Sequence, residues 1–108
     1  MIFTVNKNNW ILQFVRPNSE ELRRSDGVYT LGVTDNTTKT VTIADNLSEK
    51  MTDKVLCHEL THVYSFENGC QMDMRTEEIV ADFLSLYGRD IVYMADDLMK
   101  IFPKKVAY

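Results

Sequence analysis

Cysteine, proline and glycine are scarce in these 108 residues, at two, two and four. Two cysteines cannot build a disulfide scaffold, and so little proline and glycine excludes a collagen-like or low-complexity chain. No apolar run is long enough to cross a bilayer. Met1 to Trp10 also lacks the apolar centre of a signal peptide, because Asn and Lys interrupt it early. Basic residues are the minority, 12 against 16 acidic, for a net charge of -4. That balance gives no electrostatic footprint for nucleic acid or an anionic membrane, and Lys104-Lys105 is too short a cluster to create one.

The placement of the cysteines also argues against a bridge. A helix running from Cys57 to Asn68 would span about 16 Å, whereas a disulfide tolerates a Cα separation of about 7 Å. Two free thiols fit a reducing, cytoplasmic setting, and argue against a secreted peptidase.

What is present is enough apolar material, 44% of residues, for one small domain over 1–108. Residues 2–5 and 10–15 read as strands flanking Asn6-Lys7-Asn8-Asn9, which predicts a hairpin. Ser19 to Arg24 has the length of a single helical turn. Val28 to Thr34 alternates, Asn36-Thr37-Thr38 turns, and Val41, Ile43 and Asp45 continue a second strand, so 28–45 is a second expected hairpin.

The period then changes. Ser48 suits an N-cap, Glu49 favours the first turn, and Asn68-Gly69 stops the helix. A second helical stretch runs from Asp73-Met74 to about Phe102, with Gly88 as a kink or break and Pro103 as its end. Its apolar residues Ile79, Phe83, Leu86 and Val80, Leu84, Tyr87, Ile91 recur at helical spacing. Tyr64 and Tyr87 are expected to pack, and Met51, Met94 and Met99 to fill the core. Asp96-Asp97 reads as a solvated face. The outline is α+β: a small twisted antiparallel or mixed sheet of three to four strands, followed by two long helices.

The informative segment is His58-Glu59-Leu60-Thr61-His62. Histidines four apart on a helix share a face, so both imidazoles reach one cation, and Glu59 on the flank can hold a water there. Zinc suits two neutral imidazoles and needs a third protein ligand with one position left open. The chain has no third histidine, and Ser65 and Asn68 stand where a metzincin would place Gly and His. A carboxylate must complete the set. Glu78 is the expected ligand, with Asp82 one turn on accepting the free ring N–H of a bound histidine. Glu77 is the competitor, about 100° round the helix, with Ala81 one turn beyond it. Cys57, also about 100° off the ligand face, reads as a small apolar residue.

His58-Glu59-Leu60-Thr61-His62 followed by Glu78-Ile79-Val80-Ala81-Asp82-Phe83 resembles the gluzincin metallopeptidases, and within them the ImmA/IrrE-type peptidases of bacteria, phages and mobile elements. The hairpin from Gly27-Val28-Tyr29 to Thr42-Ile43-Ala44 is also similar to the strand pair preceding the zinc helix in that family and in the SprT-like group. The resemblance covers about residues 27–87. It implies a zincin-like domain that hydrolyses a peptide bond with Zn2+ and with Glu59 as general base. The implied substrate is a regulatory protein of the transcriptional-repressor type. The other reading is a metallopeptidase-like zinc-binding or protein-interaction module without turnover. Tyr29, Arg75 and Tyr108 are the candidates for a second oxyanion donor. A peptide substrate could add to the sheet edge near Val41 to Asp45.

Overall fold

The computed structural model describes residues 1–101. Strands β1 (Ile2–Val5) and β2 (Asn8–Val15) form an antiparallel hairpin whose loop is only Asn6-Lys7. Both loop residues have positive φ, 50° and 69°, the backbone that matches the twist of a two-residue hairpin. Asn8 and Asn9, expected in the turn, therefore begin β2. A 3-10 turn follows at Glu20–Leu22, and its buried Leu22 packs it against the strands that come next.

Strands β3 (Gly32–Asp35) and β4 (Thr40–Ala44) form the second hairpin. β4 lies parallel to β2, so the four-stranded sheet is mixed, in the order β1-β2-β4-β3. Two sequence expectations are corrected here. The strand predicted over 28–34 begins only at Gly32. Before it, Tyr29 makes an isolated bridge to Arg23, and the Thr30 hydroxyl donates to Leu22 O and Gly32 O. β4 is an inner strand, so the segment Val41 to Asp45 has no free edge for a peptide; the edges are β1 and β3.

Helix α1 (Glu49–Glu67) starts where Ser48 Oγ accepts from Met51 N, and it ends before Gly69, whose left-handed φ of +61° glycine adopts at least cost. It lies over the sheet face that carries Val5, Trp10, Leu12, Val41 and Ile43, and Val63 completes that core. Burying one such side chain contributes about 1.5–3 kcal/mol. At the far end of α1 the Glu67 carboxylate accepts from Trp10 Nε1 at 2.9 Å, Lys39 Nζ at 3.1 Å and Asn8 Nδ2. These bonds hold its pKa below the usual carboxylate value and tie the helix end to both hairpins, Asn8 and Trp10 in the first and Lys39 in the turn of the second.

The second helical stretch is three pieces: α2 (Met74–Phe83), a π-helical turn (Leu84–Gly88) and α3 (Arg89–Ile101). Asp73 caps α2 by accepting from Thr76 N. The break expected at Gly88 is the end of the π turn. The packing expected of this stretch and of α1's outer face is overturned. Tyr64, Tyr87, Met51, Met94 and Met99 are all exposed, although the Tyr87 ring does rest on Phe83. Asp96 and Asp97 are exposed as expected. Phe102, Pro103, Lys104, Lys105 and Tyr108 lie outside the described residues.

Candidate metal centre

α1 and α2 meet through small or short side chains. Ala81 is fully buried and lets the two helices approach. On α1, the one-turn spacing brings the His58 and His62 rings to 5.1 Å between centroids. On α2, Glu77 and Ala81 share the face turned to α1, while Glu78 and Asp82 share the neighbouring face towards His58.

Each imidazole meets a carboxylate at Nδ1. His58 Nδ1 lies 2.9 Å from Asp82 Oδ1, and His62 Nδ1 lies 3.1 Å from Glu77 Oε1. An ionised carboxylate only accepts, so both Nδ1 atoms donate and both Nε2 atoms are left as lone-pair acceptors. Those two Nε2 atoms are 3.3 Å apart, and the oxygens of Glu78 lie 3.0 Å from each. Three acceptor groups thus converge with no donor of their own between them. Such a cluster requires a shared cation or protons at its centre.

The spacing fits a metal. Two nitrogens about 2.05 Å from a tetrahedral zinc would stand about 3.3 Å apart. His58, His62 and Glu78 are the group among the described residues whose ligand atoms can share one ion. They supply three ligands and leave Glu78 half-exposed at the mouth of a cleft, where a fourth position would meet solvent. The cleft has a volume of about 950 Å³ and is lined by β3, α1 and α2, with Arg23 and Arg24 also on its wall.

Glu59 sits beside the ligands, buried beneath β3. Thr34 Oγ1 donates to Glu59 Oε1 at 2.8 Å. Burial pushes the Glu59 pKa up; the Thr34 hydrogen bond and the two imidazoles oppose that shift, and Glu78 adds to it. Gly32 makes the approach possible. A Cβ there would stand 2.7 Å from Val55 Cγ1 and 3.1 Å from Glu59 Cγ, so any side chain would push the strand off the helix.

All five residues singled out from the sequence, His58, Glu59, His62, Glu78 and Asp82, are brought together. Glu77 is the addition: the competitor for the metal is instead the buried acceptor behind His62. Sequence carried a signal for it, since two ligating histidines each need an acceptor at the second nitrogen and Asp82 serves only one. Cys57 is half-buried with Sγ 3.7 Å from Leu84 O, away from the cluster's ligand atoms. Neither Tyr29 nor Arg75 lines the cleft. Among the described residues no helix is long and apolar enough to cross a membrane. Comparison of the chain with family models, curated proteins and solved structures gave no match.

Proposed function

We propose that this chain is a zinc-dependent endopeptidase. The observation that supports it best is the convergence of two lone-pair imidazole nitrogens and one carboxylate, with a second, buried carboxylate beside them. Zinc bound there would supply Lewis acidity, polarising a scissile carbonyl and making a water easier to deprotonate. Glu59 takes that proton on the oxygen that Thr34 leaves free and returns it to the leaving amine. Burial raises the affinity of this carboxylate for the proton that it takes. Asp82 and Glu77 keep the imidazoles in the tautomer that presents Nε2.

An extended peptide would enter the cleft against the free edge of β3, where backbone groups are open to pairing. Endopeptidase action on a regulatory protein, such as a transcriptional repressor, follows from the resemblance to ImmA/IrrE-type enzymes. The test is Glu59→Gln. The variant should keep one zinc per chain by elemental analysis and lose cleavage by about 10²–10⁴-fold. Unchanged cleavage would overturn Glu59 as base. A wild-type chain that takes up no zinc under replete conditions would overturn the centre itself.

A further inference from the structure

The least explained part of the molecule is α3. A 13-residue helix is at the lower limit of independent stability in water. Yet α3 makes its principal contacts with the π turn it grows from, and none of its residues is buried. Its one firm tie to the body is the paired hydrogen bond of Arg89 Nη1 and Nη2 to Asp53, at 2.8 and 2.9 Å.

The exposed surface is patterned. Tyr87, Ile91, Met94, Leu98 and Ile101 recur at alternating four- and three-residue steps, the seam that one α-helix offers another. Within α3 this seam is widened by Val92 and Met99 to about half the helix circumference. All seven residues are between 44% and 77% exposed. Together they expose on the order of 800 Å², comparable to the share of one partner in an interface of standard size. A monomer's largest apolar patch is typically about 300–600 Å².

Charge decides between a protein and a lipid surface. The polar side carries Asp90, Asp96 and Asp97 against Arg89 and Lys100. Arg89 is already paired with Asp53, and Lys100 lies 3.7 Å from Asp97. A helix that lies on anionic lipid needs a basic polar face, which this one lacks. A face of this area, with a seam shaped for a helix and few charges to exclude its own likeness, fits a second copy of itself.

We propose that the chain is a two-fold homodimer joined along α3 and the π turn, each copy's seam covering the other's. Sedimentation equilibrium of the full chain across the micromolar range should give twice the monomer mass. Leu98→Asp should weaken association at least about 30-fold, while Asp96→Ser, on the polar side, should leave it unchanged. Far-UV dichroism and Trp10 fluorescence confirm that each variant keeps its core. Should Leu98→Asp fail to fold, hydrogen exchange of the wild type serves instead: amides of 91–101 should exchange more slowly as concentration rises. A monomer at every concentration would overturn the proposal, as would a dimer indifferent to Leu98→Asp or exchange independent of concentration. Capture of the chain by anionic phosphatidylserine vesicles, with only monomer in solution, would overturn it in favour of a lipid surface.

Discussion

Glu77 and Glu78 are chain neighbours in very different surroundings: the side chain of one is 7% exposed and that of the other 48%. The buried one has a single imidazole to satisfy it, and that imidazole depends on it in return. Glu77→Ala should therefore leave His62 Nδ1 without an acceptor and free the ring to turn. Zinc affinity, measured by competition with a chromogenic chelator, should fall about 10–100-fold. Unaltered affinity would show that His62 is held by packing alone. That His58 and His62 share a face with Glu59 on its flank was legible because i, i+4 spacing is a property of the helix itself. The need for a second acceptor was legible in the same way, but its assignment to Glu77 was not, because that depends on how closely two helices approach, which Ala81 sets.

Between elements, the tie of most consequence is Glu67. It fastens the C-terminal end of α1 to both hairpins, through Asn8 and Trp10 of the first and Lys39 in the turn of the second. Its pKa is lowered in the folded protein, so the folded state binds the proton less readily than the unfolded one. The stabilisation is therefore fully present above the ordinary carboxylate value and is lost as pH falls through the lowered one. Glu67→Gln should melt several degrees below wild type at neutral pH, and the gap should close on acidification. A gap that stayed constant with pH would rule out the carboxylate charge as its source.

Helix α1 was readable from Ser48 and Asn68-Gly69, since caps are local chemistry. The start of β3 was not. Val28 to Leu31 alternate like a strand, but the backbone of Val28 and Thr30 pairs with Arg24 and Leu22 in place of a long sheet strand. The π turn was also hidden, because the apolar spacing runs through it without a change of period. What sequence gave there was only the interruption at Gly88.

At the scale of the whole molecule, the sheet and α1 hold one core, while α2 joins it chiefly through the site and Ala81. The long dimension of 53 Å, against 30 and 27 Å, matches a helix standing off that body. A metal held between α1 and α2 would thus brace the part least supported by apolar packing. Zinc at about 100 times its dissociation constant would add about 2.7 kcal/mol. Melting should accordingly drop by about 10 °C when EDTA is added; identical curves would deny the ion any structural share. The α+β outline itself was available from periodicity, because strands and helices repeat differently. The exposure of the second helical stretch was not, since an amphipathic pattern records that a face will be covered and not by what.

Every group of the candidate centre lies between Thr34 and Asp82, and the proposed seam begins at Tyr87. The proposed seam and the candidate centre thus draw on disjoint lengths of polypeptide. Their mutational effects should simply add. Selection could retune how tightly copies hold one another while the reacting atoms stay untouched.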